Sequence, residues 1–196
     1  LVNELERVPP GLFGGSARSH LLAALFISGP MNRRRLARTL VLDPTFTLQR
    51  LRSLVDAGLV ERTETEHEYR VAWKNPIALH VASVIAAYTG LPIAIVSARV
   101  STKLPPGHLG TFERPGRTRL LLALAGHEPA TVGEVSETTG MTLSMVHAAA
   151  ETLEDAGIII GDRKTRPMAY RLNSAQAAFA EVRALLRAMR DLGAYR

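Results

Sequence analysis

Ten residues of this chain recur in the same order at one constant spacing. Leu21, Leu22, Ala24, Leu25, Pro30, Thr39, Leu54, Asp56, Ala57 and Gly58 return 99 residues later as Leu120, Leu121, Ala123, Leu124, Pro129, Thr138, Leu153, Asp155, Ala156 and Gly157. Most other aligned positions agree in hydrophobic character over an ungapped stretch of about forty residues, a self-similarity that composition alone does not generate. The 196 residues therefore divide into two units of the same kind, each of roughly 75 to 80 residues, a size at which a single small core forms with little stability in reserve. The boundaries expected are 12–89 for the first unit and 116–196 for the second. Between them, 90–115 is a linker carrying Pro92, Pro105, Pro106, Gly107 and Gly110. Within it, Ile93 to Val100 is apolar enough for a short strand or a packed extended segment that fixes the two units relative to each other.

Within the first unit, Leu21, Leu22, Leu25 and Phe26 fall at helical spacing over Ser16 to Ser28, and Gly29-Pro30 stops the pattern. Asn32 caps a short second helix, Arg33 to Leu40, with Leu36 and Leu40 inward. Asp43 as N-cap and Pro44 at the first helical position open a third helix that buries Leu51, Leu54 and Val55 and ends at Ala57-Gly58. Leu59 to Thr63 and Tyr69 to Trp73 alternate as the two strands of a hairpin, and Ile77 to Tyr88 is a closing apolar helix. The second unit repeats the order with helices Arg117 to Ala125, Val132 to Thr139 and Leu143 to Ala156, strands Ile158 to Gly161 and Ala169 to Leu172, and a closing helix Ala175 to Leu192. Helix, helix-turn-helix, two-stranded wing, helix is the order of a winged helix-turn-helix domain. The fold class expected is mainly α with small β wings (α+β), two such domains in tandem.

The stretch Leu51-Arg52-Ser53-Leu54-Val55-Asp56-Ala57-Gly58-Leu59-Val60 resembles the LxxLxxAGLV pattern of bacterial winged-helix regulators of the MarR and ArsR type, and Leu153 to Ile159 resembles it again. The resemblance implies that the third helix enters the DNA major groove and that the wing touches the adjacent backbone or minor groove. Two units in one chain depart from the usual single-unit protomer of that family, so its usual dimer geometry is not implied here, although a homodimer stays open.

The two units differ in surface chemistry. At the start of helix two the second has Thr131-Val132-Gly133-Glu134, a capping box, where the first has Asn32-Arg33-Arg34-Arg35. Three cations in a first turn oppose the helix dipole by about 0.3 to 1 kcal/mol each when exposed, which a DNA phosphate beside the turn would offset. A solvated basic face is the plainer alternative, and Arg38 one turn on adds to either. Helix three of the first unit keeps Thr45, Phe46, Leu48, Gln49, Arg50 and Arg52 off its core face. Gln and Arg are base readers, and Thr serves phosphate or a thymine methyl, although the same side chains also simply solvate a helix. The second unit has Ser144, Met145, His147, Ala148, Ala149 and Glu151 there, a poor reading set. The wings reverse the order: Glu61 to Glu68 carries four acids, whereas Asp162-Arg163-Lys164-Thr165-Arg166 carries three bases. This suggests a division of labour, the first unit supplying the recognition helix and the helix-two arginines, the second supplying a basic wing. The acidic first wing also suits a protein contact.

Net charge is +6 with an isoelectric point near 10.3, distributed +3, +2 and +1 over residues 1–90, 91–114 and 115–196, so charge placement and not bulk charge must make any DNA surface. With no cysteine, thiolate zinc sites and cysteine nucleophiles are excluded. The six histidines show no HExxH or paired spacing, no P-loop or GxGxxG occurs, and Gly11 to Gly15 reads as a flexible lead-in, so no enzyme, metal or cofactor is expected. No run approaches the roughly 20 apolar residues of a membrane span and the start lacks signal-peptide regions, so the expectation is a soluble, cytoplasmic protein. Trp73 and Tyr69 suit wing-root packing or a ligand or DNA contact. The closing stripe Phe179, Val182, Leu185, Leu186 and Met189 suits either core or a homodimer interface. The function expected is sequence-specific double-stranded DNA binding as a transcriptional regulator. A different class, the tandem winged-helix interaction module of condensin-associated segregation proteins, has the same layout and works through protein contacts; a ligand-responsive regulator with a pocket between the units is a third possibility.

Overall fold

A computed structural model describes residues 5, 7–9, 12–63, 67–93, 95, 100–101, 103–107 and 110–194. The first series runs α1 Ser16–Ser28, β1 Met31–Asn32, α2 Arg33–Thr39, α3 Pro44–Asp56, β2 Val60–Arg62, β3 Glu68–Val71 and α4 Ala78–Thr89. The second runs α5 Pro115–Gly126, β4 Ala130–Thr131, α6 Val132–Thr139, α7 Leu143–Asp155, β5 Ile159–Asp162, β6 Ala169–Leu172 and α8 Phe179–Met189. Among the described residues this is a mixed α and β structure of eight helices and two small antiparallel sheets, as a winged helix-turn-helix has.

Local chemistry sets the helix starts. Asp43 accepts from the backbone N–H groups of Thr45 and Phe46, each at 2.8 Å, and Pro44 occupies the first turn of α3. Asn32 accepts from Arg35 N at 2.9 Å to cap α2, and the capping box of α6 forms in full, Thr131 N donating to Glu134 at 2.7 Å. Each sheet has three strands, not two, in the orders β1-β3-β2 and β4-β6-β5. The added strands are two residues long, too short for alternation to reveal, and they pair Met31 with Tyr69 and Ala130 with Tyr170. They fasten the start of α2 to β3 and the start of α6 to β6. After each wing an asparagine repeats one motif: Asn75 and Asn173 donate to Gly58 O and Gly157 O at 2.9 and 2.8 Å and accept from Ile77 N and Ala175 N at 3.1 Å.

The core holds the apolar faces expected, including Leu21, Leu22, Leu25, Leu51 and Leu54 and their counterparts Leu120, Leu121, Leu124, Ala150 and Leu153. Val55 is an exception, 37% exposed at the rim of α3 where the sequence pattern predicts burial. Trp73 is buried edge-on against Phe26, ring centroids 5.4 Å apart, as a wing-root packing residue, and Tyr69 on β3 is buried with part of its surface on a groove between α2, α3 and the wing strands. The closing helix begins at Phe179, four residues later than expected, because the Asn173 turn holds the preceding residues out of helical register. Of its stripe, Val182, Leu185, Leu186 and Met189 are fully buried within the chain while Phe179 is half-buried, and α8 packs along α4. Tyr88 on α4 donates to Gln176 ahead of α8, and burial pushes the Tyr88 phenol well above its ordinary range.

The stretch read as linker packs against the first series. Phe112 is fully buried and stacks on Phe13 with centroids 6.0 Å apart, and the lead-in adds Leu5, Val8 and Leu12 to the same core. A Cβ on Gly107 would lie 1.6 Å from Asp56 O, and one on Gly58 would lie 2.6 Å from the Pro105 ring, so this segment lies flat on the end of α3. Gly157, the counterpart of Gly58, has open space at the same position. The strand suggested for Ile93 to Val100, the acids Glu64 and Glu66, Gly11 and His108 fall wholly or largely outside the described residues.

Candidate nucleic-acid interface

Helix α3 presents three distinct flanks. Thr47, Leu51 and Leu54 face the core. Thr45, Gln49 and Arg52, spaced four and three residues apart and therefore aligned on one face, are exposed. Arg50 and Ser53 lie on a third flank: Arg50 reaches Glu113 at 3.1 Å and lies 4.8 Å over the ring of exposed Phe46, and Ser53 accepts at 2.8 Å from Arg18, which also donates to Gly110 O. The structure thus separates Arg50 from the other helix-three candidates.

Between α2, the outer end of α3 and the wing strands lies an open groove of about 650 Å³. Arg33 and Arg34 enter it from the first turn of α2, Arg52 from α3 and Arg62 from β2, with Asp56 the carboxylate on its wall. Among the described residues none of Arg33, Arg34 and Arg52 has a carboxylate partner, while Arg62 bonds His67 Nδ1 at 3.0 Å. Four guanidinium groups from three elements, around a cleft open to solvent, form a surface suited to phosphate oxygens. Arg35 and Arg38 stand exposed beside it on α2.

Sequence alone does not single out Arg62, because it sits in a run dominated by glutamates. Its register carries the signal: two residues beyond buried Val60 on one strand, it shares the face that looks toward α3.

The equivalent surface of the second series is differently built. Val132, Gly133, Glu151 and Gly161 occupy the positions of Arg33, Arg34, Arg52 and Arg62, and Ser144, Ala148 and Glu151 form the outward line of α7. Leu143 and Met145 are 55% and 50% exposed at its start. Hydrogen bonds from the Thr131 backbone and hydroxyl hold the Glu134 carboxyl below its ordinary range. The basic wing is a compact turn in which Asp162 accepts from Lys164 N at 2.9 Å and, through its carbonyl, from the Thr165 hydroxyl at 2.9 Å. Arg163, Lys164 and Arg166 project from it, all exposed, and none of them lines the arginine groove. Among the described residues no cluster of side chains could hold a metal ion, and no helix is long and apolar enough to cross a membrane.

Residues 118–162, from α5 to the end of β5, match the IclR helix-turn-helix domain. No curated protein and no solved structure matches the chain. The matching type is IclR, not the MarR or ArsR type that the third-helix stretch resembles, and it supports a helix-turn-helix regulator of transcription that binds double-stranded DNA.

Proposed function

We propose that this chain is a tandem winged-helix transcriptional regulator, its units at 12–89 and 116–196 joined by 90–115, that reads DNA chiefly with the first unit. Helix α3 enters the major groove with Thr45, Gln49 and Arg52 toward the base edges, and Arg33, Arg34, Arg35, Arg38 and Arg62 take the flanking phosphates. Arg163, Lys164 and Arg166 on the second wing add backbone contacts. The observation that carries this reading is the groove in which arginines of α2, α3 and β2 converge beside the exposed line of α3. No cofactor enters the scheme. A homodimer, if formed, uses a surface other than the buried α8 stripe.

A protein-interaction role has one observation in its favour, the exposed Leu143 and Met145 on a helix α7 that offers no cation along its outward line. Fluorescence anisotropy with a random-sequence 30-base-pair duplex, repeated over a series of salt concentrations, separates the two. DNA binding by the proposed surface gives an affinity that falls with salt, and Arg163, Lys164 and Arg166 changed together to Ala flatten the log–log slope by about 0.9 for each phosphate no longer neutralised. Absence of binding at low salt removes the DNA reading and leaves the protein-contact role.

A further inference from the structure

Glu113 makes two ion pairs that join the halves of the molecule. Its Oε1 accepts from Arg50 on α3 at 3.1 Å and its Oε2 from Arg117 on α5 at 2.9 Å. The carboxylate is 19% exposed, with Arg117 at 14% and Arg50 at 34%. Glu113 holds a left-handed backbone at φ 71°, a conformation that a residue with a Cβ adopts only when its surroundings dictate it. Those surroundings are specific. Gly14 leaves the room, since a Cβ there would lie 2.8 Å from Glu113 Cδ. Beneath it, Arg18 is fully buried and donates to Gly110 O at 2.8 Å, Thr111 O at 3.2 Å, Phe13 O and Ser53 Oγ, locking the segment that carries Glu113 to the helix that carries Arg50. Burial lowers the Arg18 pKa to about 10 against the opposing pull of Glu113, so Arg18 remains a cation at neutral pH. On α7 the position of Arg50 is Ala149, and no such tie is possible there.

We propose that Glu113 is a positioning residue that holds Arg50 away from DNA and so limits the charge α3 offers to phosphate. The inference rests on α3 being the DNA-reading helix. Arg50 lies on the flank of α3 next to its exposed line, and a free guanidinium on that flank reaches the backbone bordering the groove. Held by Glu113, it neutralises no phosphate, and sequence-independent affinity stays low relative to base-dependent affinity. Because Arg117 shares the same carboxylate, the placement of α5 sets how firmly Arg50 is held.

The test is a cycle of Glu113→Gln, Arg50→Ala and the double variant, in the full chain, against a random 30-base-pair duplex across salt. Glu113→Gln is expected to bind roughly threefold to tenfold tighter at low salt, with a slope steeper by about 0.9, the signature of one more phosphate neutralised. Arg50→Ala alone stays within about twofold of wild type, and the double variant matches Arg50→Ala. A merely structural Glu113 lowers affinity when changed, or leaves it alone; neither gives a tightening that Arg50→Ala cancels. A tightening that persists without Arg50, no tightening at all, or a large weakening from Arg50→Ala alone overturns the proposal. Should Glu113→Gln fail to fold, Glu113→Asp keeps the charge on a carboxylate too short to span both arginines, and a smaller tightening that Arg50→Ala cancels is expected. A tightening that survives in that background, or none, overturns the proposal. Wild-type protein that does not bind DNA removes the underlying reading as well, whereas wild-type binding without a Glu113 effect removes this inference alone.

Discussion

The two series of elements share a backbone plan, and their corresponding surfaces oppose each other in chemistry. Where α2, α3 and β2 place Arg33, Arg34, Arg52 and Arg62, the equivalent elements α6, α7 and β5 place Val132, Gly133, Glu151 and Gly161. The IclR-type match falls on the second series, the one without the arginines. What the halves share are buried leucines, caps and a sharp end to the third helix, and these determine a fold. What separates them are exposed side chains that fold determination leaves free, and on the proposed function these set which half meets a polyanion. The coverage of the third helix differs too: Gly58 at the end of α3 lies against the Pro105 ring and Gly107 against Asp56, while Gly157 after α7 has open space at the same position.

The largest effect that sharpens this contrast comes from removing the groove. Arg33, Arg34, Arg52 and Arg62 changed together to Ala are expected to weaken duplex binding by about a hundredfold at moderate salt and to flatten the salt slope by about 0.9 for each arginine that meets a phosphate. Val132→Ala with Glu151→Ala leaves both quantities nearly unchanged. Equal losses from the two sets, read by anisotropy titrations, show that the two surfaces do not differ in DNA contact.

Next in size is the cover over α3. Gly107→Ala drives a methyl group into Asp56 O and is expected to destabilise the chain by about 1–3 kcal/mol in urea unfolding, because the neighbour is backbone and cannot rotate aside. An unfolding midpoint equal to wild type contradicts the close docking of this segment.

The turn between helices two and three gives a third contrast. Val41 is 88% exposed at φ 53°, and its counterpart is Gly140 at φ 66°. A branched side chain in the left-handed region costs about 1–2 kcal/mol. Val41→Gly is therefore expected to stabilise by about 1 kcal/mol, offset in part by the entropy of the added glycine, and Gly140→Val to destabilise by a similar amount. A destabilising Val41→Gly or a stabilising Gly140→Val in chemical denaturation contradicts the equivalence of the two turns.

The smallest effect is pH-dependent. Hydrogen bonds from Thr131 depress the folded pKa of Glu134, so its contribution is present above the pH where an unfolded glutamate titrates and is lost as pH falls through the folded value. Asn32, which caps α2 in the first half, carries no ionisable group. Glu134→Gln is expected to reduce the acid-side loss of stability, whereas Asn32→Ala lowers stability without changing its pH dependence. An unchanged acid slope in Glu134→Gln rules this contribution out.

Much of the architecture is legible in the sequence because it is local. Gly29-Pro30, Asp43-Pro44 and the Thr131–Glu134 box declare helix ends within a few residues, and the periodic leucines declare the faces. The site is legible only by halves. Arg33 and Arg34 stand out by opposing a helix dipole and Arg52 by its place on the third helix, but Arg62 is hidden among acids until the strand register places it opposite α3. Arg18, Phe112 and Glu113 are not legible at all. Nothing in the local pattern of α1 sets Arg18 apart, and partners distant in sequence, Ser53 and the carbonyls of Gly110 and Thr111, join Phe13 O in making it a buried fastener. Pro and Gly in the same stretch signal a linker; close approach to α3 is what those residues permit.

Placement of α3 rather than α7 in the major groove has a direct test because the chain contains no cysteine. Gln49→Cys and its counterpart Ala148→Cys each give a single attachment point for an iron–EDTA reagent, and strand cleavage of a bound duplex then maps which helix lies against the bases. Strong cleavage from position 49 with little from position 148 is the expected result. Cleavage from position 148 that equals or exceeds that from position 49 contradicts that placement and assigns DNA reading to the second half.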